Sequence, residues 1–302
     1  MTKKIIALFL AALMVLPVFA LAGGETVLTD MTGREVKLTK PVERMIVMWP
    51  GDCEIVYALG AEKLLVGLGS YCDYPAETEK VEKVTPGKDM NLEQILALKP
   101  DLVVTTTMSL VKEHVEALEK AGVPVFVNNA QNIEGVYTAI KNIGALTGRT
   151  QQAEELVASM QKSFEDVKNS KPAGEPLSAY YEVSPLSQGL WAAGGGTFMD
   201  ELGAIVGLDN IFKDLDPWAQ VSEEQVIKLN PSVIITTSYG DPAEVVKEIK
   251  DRAAWKDVQA VKDGKVFCPD SNIFTRPGPR LVDAVQSLFT MLYGEAKVDK
   301  AA

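Results

Sequence analysis

Residues 90–106, MNLEQILALKPDLVVTT, align without a gap to residues 221–237, VSEEQVIKLNPSVIITT. Six of the 17 aligned pairs are identical, among them Glu93 with Glu224 and Pro100 with Pro231. The match continues further along, where 125–126 and 266–267 are both Val-Phe. An ordered run of matches favours duplication or a shared lobe architecture over chance similarity between two βαβ units. We therefore predict two copies of one helix, strand, helix, strand unit.

Each copy has the pattern of a short helix followed by a buried strand. Leu92, Ile95 and Leu96 have helical spacing, Pro100 ends the helix, and residues 102–104 form an apolar run. The second copy repeats this order around Pro231. Short strands that alternate with helices pack as parallel sheets. The sequence thus predicts an α/β protein with two Rossmann-like lobes, each built on a central β-sheet.

Between the copies lies one long amphipathic segment. Residues 150–168 carry apolar side chains at i, i+3/4 and i+7 and contain neither Gly nor Pro. The breaker Lys171-Pro-Ala-Gly-Glu-Pro176 follows. We expect one backbone helix to join the lobes, with an N-terminal lobe at 23–148, the bridging helix at 149–171 and a C-terminal lobe at 172–302.

The first 22 residues have the pattern of a signal peptide: two lysines, an apolar stretch and a small-x-small site that ends at Ala22. Cleavage after Ala22 predicts a soluble periplasmic protein, and a non-cleaved membrane anchor is the alternative. Removal of Lys3 and Lys4 leaves 28 of the 30 basic residues against 41 acidic ones, a formal charge of −13. This charge argues against nucleic acid as a partner.

The sequence contains few of the histidines and cysteines that catalytic and metal sites commonly use. His114 is the single histidine and lies among charged residues, which is typical of a solvated helix face. We expect no catalytic residues, no metal and no cofactor.

An exported chain with Cys53, Cys72 and Cys268 forms at most one disulfide. A bridge between Cys53 and Cys72 and inert buried thiols both remain open.

Aromatic residues occur where strands end and helices begin, in loops rich in Gly, Pro or Asp. These residues are Trp49, Tyr71, Tyr74, Trp191 and Trp218. Loops at the carboxyl ends of parallel strands line ligand clefts, so convergence of these rings would suit a large planar or conjugated ligand. Core or loop packing is the alternative for each ring. Arg276 and Arg280 add a candidate anion clamp, although Arg280 could instead form a structural ion pair.

The mature chain resembles the class III periplasmic binding proteins that serve cobalamin, haem and ferric siderophore ABC importers. The resemblance rests on 29–36 (TDMTGREV), the paired Glu segments and the bridging helix. Within that group it is most similar to cobalamin binders, through 71–75 (YCDYP), 210–214 (NIFKD), 217–225 (PWAQVSEEQ) and 276–280 (RPGPR). The haem members often have a tyrosine ligand in the segment that is here 85–89 (TPGKD), which contains none.

The resemblance implies roles for individual residues. Tyr71, Trp191 and Trp218 would line a corrin site, and Glu93 and Glu224 would dock on arginines of the two permease subunits. Asn272 stands where the cobalamin binders have an acid, and Gly87 and Thr106 stand where they have aromatics.

We therefore expect a monomeric solute-binding protein, not an enzyme, that works with an ABC importer permease dimer in the inner membrane. The expected ligand is corrinoid and contacts Trp49, Tyr71, Trp191, Trp218, Asn272 and Arg276. A ferric siderophore or other iron chelate is the alternative within the family, and an exported hydrolase is the alternative of a different class.

Overall fold

A computed structural model describes residues 26–109 and 112–294 of the chain. The predicted signal peptide and its cleavage site lie outside the described residues. Strands in the described part are β1 (Thr26–Thr29), β2 (Glu35–Leu38), β3 (Met45–Val47), β4 (Leu65–Gly69), β5 (Lys83–Val84), β6 (Leu102–Thr105), β7 (Val125–Val127), β8 (Leu177–Ser184), β9 (Trp191–Ala193), β10 (Leu208–Asn210), β11 (Trp218–Gln220), β12 (Val233–Thr236) and β13 (Val266–Phe267).

Helices alternate with these strands. They are α1 (Pro50–Ala58), α2 (Leu92–Ala97), α3 (Lys112–Lys120), α4 (Ile133–Thr147), α5 (Thr150–Ser170), α6 (Phe198–Ile205), α7 (Glu223–Leu229), α8 (Pro242–Asp251), α9 (Gln259–Lys262), α10 (Ser271–Phe274) and α11 (Leu281–Tyr293).

Two central sheets confirm the predicted α/β architecture. The first has the order β5-β4-β3-β6-β7, with every neighbouring pair parallel. The second has the order β11-β9-β8-β12-β13, with β10 also paired to β8. Its β8, β10, β12 and β13 are parallel, whereas β9 and β11 are antiparallel to their neighbours. A hairpin of β1 and β2 precedes both sheets.

The repeat found in the sequence is present in the backbone. Helices α2 and α7 begin after Asn91 and Ser222, and each of these residues caps its helix by accepting a hydrogen bond from the N–H three residues on. The strands that follow have matching registers, because Val104 pairs with Phe126 in the first sheet and Ile235 pairs with Phe267 in the second. The two copies therefore share caps, strand positions and strand register.

The long helix predicted between the copies is α5, which at 21 residues spans roughly 30 Å. Its buried face consists of Ala153, Val157, Met160 and Phe164. These side chains belong to one hydrophobic core that also contains strand residues from both sheets, such as those of β3 and β12. Two smaller cores lie on other sheet faces, one in each lobe. The lobes therefore share packed apolar surface in addition to their covalent link.

The three cysteines are free thiols. Cys53 and Cys72 are both buried, and Cys268 is half-buried. The Cys53 thiol faces the Tyr74 carbonyl oxygen at 3.8 Å, and the Cys72 thiol faces the Val47 carbonyl oxygen at 3.9 Å. Of the two alternatives for Cys53 and Cys72, the structure has buried thiols and no bridge.

Candidate functional site

Two contacts join the lobes near the carboxyl edge of the first sheet. On one side, Arg276 from the loop beyond β13 reaches Asp73, which follows β4. On the other side, Trp218 of β11 reaches Gln131, which follows β7. Because β3 and β6 lie between β4 and β7 in the sheet, these two contacts flank the edge where β3 and β6 end. The space between the contacts is the candidate cleft, at the place where open α/β sheets bind ligands.

The first contact is a cluster of two arginines and two carboxylates. Arg280 donates two hydrogen bonds to the buried Glu54, from Nε at 3.0 Å and from Nη2 at 2.6 Å. Arg276 binds Asp73, with Nη2 to Oδ2 at 3.2 Å, and its Nη1 lies 3.6 Å from Glu54 Oε1. The Arg280 guanidinium also stacks on the Tyr74 ring, 3.9 Å from its centroid. We name Glu54, Asp73, Arg276 and Arg280 the cross-lobe cluster.

The cross-lobe cluster balances its own charge. The hydrogen bond from Arg276 lowers the pKa of the Asp73 carboxyl, and burial raises the pKa of the Glu54 carboxyl against the opposing effect of Arg280. With two carboxylates facing two guanidiniums, neither arginine is left unpaired. Arg276 and Arg280 are thus both paired with carboxylates of the other lobe, which for Arg280 is the structural ion pair that the sequence left open; ligand binding by Arg276 stays a prediction.

The second contact joins the lobes through Gln131. The Trp218 indole Nε1–H donates to Gln131 Oε1 at 2.9 Å, and the Phe198 backbone N–H donates to the Gln131 carbonyl oxygen at 2.8 Å. The Trp218 ring also packs edge-on against the Phe198 ring, with 6.2 Å between centroids. Trp218 is therefore held in place while part of its ring remains in contact with solvent.

Two tryptophans share one face of the β9–β11 ribbon. Trp218 pairs with Ala193, and Trp191 lies two residues before Ala193. Since side chains two residues apart in a strand point to the same side, both indoles project from the same face. Their exposed fractions are 39% for Trp191 and 37% for Trp218. The C-terminal lobe thus carries a partly exposed aromatic surface that can stack on a ligand.

The N-terminal lobe contributes two further aromatic residues. Trp49 directly precedes α1 at the end of β3 and is half-buried. Tyr71 follows β4 and is 63% exposed. Both lie at the carboxyl edge of the first sheet, as their positions in the sequence indicated. Asn272 lies on α10, beyond β13, where its backbone N–H donates to Asp270 at 2.8 Å.

A buried carboxyl lies at the same edge of the first sheet. Asp52, in the first turn of α1, accepts a hydrogen bond from Asn128 at 2.9 Å, and Asn142 donates in turn to Asn128 at 3.2 Å. The second Asp52 oxygen has no partner among the described residues. Burial raises the pKa of Asp52 to about 7, against the opposing effect of the Asn128 bond.

Glu93 and Glu224 occupy the second position of α2 and α7, and both side chains are exposed. Each helix precedes a central strand and runs back against it, so each helix begins near the carboxyl edge of its sheet. In the first lobe a contact shows this position of the helix start: the turn at 87–89 before α2 packs beside the turn at 107–109 after β6. The pKa of the Glu224 carboxyl is lowered by hydrogen bonds from its own backbone N–H and from Ser222.

The structure also shows the surroundings of the single histidine and the prospects for a metal site. His114 lies on α3 as predicted, but it is half-buried, and its Nδ1 is buried without a partner in the described part of the chain. Within residues 26–109 and 112–294, no group of three or more His, Cys, Asp or Glu residues could hold a metal ion. None of the helices in these two ranges has the length and hydrophobicity that a membrane span requires.

Sequence reasoning missed Glu54, Asp73, Gln131 and Asp52. Asp73 lies inside the segment 71–75 that carried the family resemblance, so the sequence could have indicated it as a site residue. The other three have no distinctive pattern around them, because the side chains that they bind are 76 to 226 residues away in the sequence. Such pairings become visible only in the folded protein.

Comparisons with known proteins agree with this architecture. The model of the periplasmic binding protein family matches residues 46–272. The chain is 33% identical over 270 residues to the uncharacterized ABC transporter substrate-binding lipoprotein YvrC of Bacillus subtilis, covering 87% of this chain and 84% of the relative. It is 28% identical over 256 residues to the vitamin B12-binding protein of Pectobacterium atrosepticum, covering 83% and 88%.

Solved structures of periplasmic solute-binding proteins are also similar to this chain. One is described as a possible iron-binding, periplasmic solute-binding protein of Staphylococcus epidermidis, with 29% identity, a TM-score of 0.76, and coverage of 84% of this chain and all of that one. Another is the periplasmic vitamin B12 binding protein of Vibrio cholerae, with 26% identity, a TM-score of 0.71, and coverage of 83% and 97%. The chain belongs to the periplasmic binding protein family, the solute-binding components of ABC transporters.

Proposed function

We propose that this protein captures a corrinoid in the cleft between its lobes and delivers it to the permease dimer of an ABC importer. The observation that carries the proposal is the pair of half-exposed indoles on one face of the β9–β11 ribbon, Trp191 and Trp218. Stacking on a conjugated macrocycle would bury both rings. Similarity to vitamin B12-binding proteins of several bacteria supports the same ligand class.

The charge of the cleft wall also favours a corrinoid over an anionic chelate. Arg276 and Arg280 are balanced by Asp73 and Glu54, so the cross-lobe cluster offers no unpaired cation to an anion. A neutral cobalamin or a cationic cobinamide does not need one. An iron chelate remains the second candidate, because a protein of 29% identity is described as a possible iron-binding protein.

The alternative of an exported hydrolase gains no support. His114 lies on α3, and the carboxylates of the cross-lobe cluster face guanidiniums in place of a nucleophile or a histidine. Binding without covalent chemistry accounts for these residues. Export to the periplasm, with cleavage after Ala22, is part of the same proposal.

Titration of tryptophan fluorescence tests the ligand. We expect cobalamin or cobinamide to quench the emission saturably, and Trp218→Ala to weaken binding by about 1 to 3 kcal/mol, the usual cost of losing an aromatic anchor. Leu229→Ala is the matched control: it truncates an exposed apolar side chain of the same lobe, at the far end of α7 from the cleft. If wild type ignores corrinoids but binds haem or a ferric hydroxamate, the corrinoid assignment is wrong.

A further inference from the structure

Met108 and Tyr239 are the two most exposed large apolar side chains in the described part of the chain, at 77% and 83%. Met108 is the third residue after β6, and Tyr239 is the third residue after β12. The offset of 131 residues between them is the one that relates Glu93 to Glu224 and Pro100 to Pro231. The two residues therefore occupy equivalent positions in the two lobes.

Each of these residues lies at the same sheet edge as a repeated glutamate. In the first lobe, the turn at 107–109 packs beside the turn at 87–89, from which the chain enters α2 and reaches Glu93. In the second lobe, β11 runs in the same direction as β12 and ends three residues before α7 begins, so α7 starts at the carboxyl edge of the sheet that Tyr239 also follows. Each lobe thus presents one exposed carboxylate and one exposed apolar side chain at one edge.

The residues that face the cleft do not follow this symmetry. By the same offset, the counterpart of Trp218 is Gly87, which has no side chain to stack on a ligand. A single ligand without twofold symmetry contacts the two lobes differently, so its binding residues need not be repeated. A partner built from two identical subunits presents the same surface to both lobes and selects equivalent residues on each.

We infer that Met108 and Tyr239 are apolar anchors for the two subunits of the permease dimer, one on each side of its twofold axis. The inference rests on the proposed delivery to a permease. Each subunit would offer a cation to Glu93 or Glu224 and an apolar pocket to Met108 or Tyr239. Tyrosine and methionine are enriched at the centres of protein–protein interfaces, and here one of each is exposed at matching positions of the two lobes.

Photocrosslinking tests the contact directly. With p-benzoylphenylalanine at position 108 or 239, we expect crosslinks to the permease subunit of the cognate importer, purified with its ATPase and reconstituted in nanodiscs. The same group at Val27, an exposed apolar position of β1 without a repeat counterpart, should give none. Crosslinking from position 27 as strong as from 108 and 239, or none from either of those two, would overturn the inference.

Affinity for the importer gives a second test. Met108→Ser with Tyr239→Ser should weaken binding to the nanodiscs roughly tenfold or more, as expected for loss of paired interface anchors. The quenching of tryptophan fluorescence by cobinamide and the melting temperature should stay as in wild type, and Val27→Ser should change none of the three. Unchanged affinity for the importer contradicts the inference, as does a loss confined to cobinamide binding.

The variant Glu93→Ala with Glu224→Ala separates this inference from the proposed function. If that variant loses the importer and the Met108 and Tyr239 variant keeps it, only the inference fails. If both variants bind the importer normally, both the inference and the proposed delivery through this face are wrong.

Discussion

Lys99 and Asn230 adopt the same left-handed backbone conformation, with φ of 49° and 47°, at equivalent positions of the two lobes. Each precedes the proline that separates the first repeat helix from its central strand. They are the only residues other than glycine with positive φ in the part of the chain that the structure describes. The repeated unit is therefore conserved within the molecule at the level of backbone strain as well as sequence.

This strain predicts different effects of glycine at the two positions. Lys99→Gly should raise the free energy of unfolding by about 0.5 to 1 kcal/mol, because glycine adopts positive φ without a Cβ clash. Asn230→Gly should lower it, since asparagine tolerates this conformation and its Oδ1 accepts the Gln259 backbone N–H at 2.8 Å. Urea denaturation of both variants measures the difference, and destabilisation by Lys99→Gly would contradict the argument.

The buried Asp52 predicts a pH-dependent stability. Its pKa is about 7 in the folded protein and near 3.8 in the unfolded chain, so between these values the folded state holds a proton that the unfolded state has released. The contribution of the Asp52 carboxyl to the free energy of unfolding is therefore complete below about pH 4. It is lost as the pH rises to 7, and the free energy of unfolding falls by about 1.4 kcal/mol per pH unit over that range.

Asp52→Asn removes this dependence while it keeps an acceptor for Asn128. The stability of the variant relative to wild type should increase by about 3 to 4 kcal/mol between pH 4.5 and pH 8. Chemical denaturation across that range measures it. A relative stability that stays flat would mean that Asp52 is ionised at all these pH values.

The long helix and the repeat were predictable because each leaves a periodic signal. The apolar stripe of α5 and the spacing around Pro100 and Pro231 depend only on nearby residues. The predicted helix at 150–168 is observed as Thr150–Ser170. The lobe limits proposed from the sequence and the signal peptide stay predictions.

The charge pattern of the cleft was not predictable, because it depends on contacts between distant residues. Arg276 is 203 residues from Asp73, and Arg280 is 226 residues from Glu54. A sequence shows that arginines are present but not that the opposite lobe neutralises them. The positions of Met108 and Tyr239 could have been read from the repeat, but their exposure could not.

The cross-lobe cluster predicts ligand selectivity. Asp73→Asn leaves the two arginines with only Glu54, so the cleft wall gains positive charge. We expect affinity for an anionic ferric chelate to rise about two- to fivefold and affinity for cationic cobinamide to fall by a similar factor. Fluorescence titration at low salt measures both changes, which should shrink in high salt.

Glu77→Gln is the control for this prediction, since it makes the same change of charge at an exposed residue in the turn after Pro75. It should shift neither affinity. Equal effects of the two variants would mean that overall charge, and not the cross-lobe cluster, sets the preference.

Closure of the lobes should be small. They are joined by the continuous helix α5, share one hydrophobic core, and already touch through Arg276 with Asp73 and through Trp218 with Gln131. Hinge motion needs a few residues that absorb large backbone changes, and a packed helix offers none. X-ray scattering profiles with and without ligand should nearly superimpose, so a marked contraction on binding would contradict this prediction.

The central claim is delivery to a permease, and Glu93 with Glu224 tests it most directly. The measurement is stimulation of ATP hydrolysis by the reconstituted importer on addition of the ligand-loaded protein. Glu93→Ala with Glu224→Ala should abolish stimulation and leave ligand affinity and melting temperature nearly unchanged, and reversal to Lys should be at least as severe. Glu154→Ala with Glu165→Ala, which removes two exposed acids from α5, should stimulate like wild type. Full stimulation by the Glu93 and Glu224 variant would mean that the two carboxylates only stabilise the first turns of their helices.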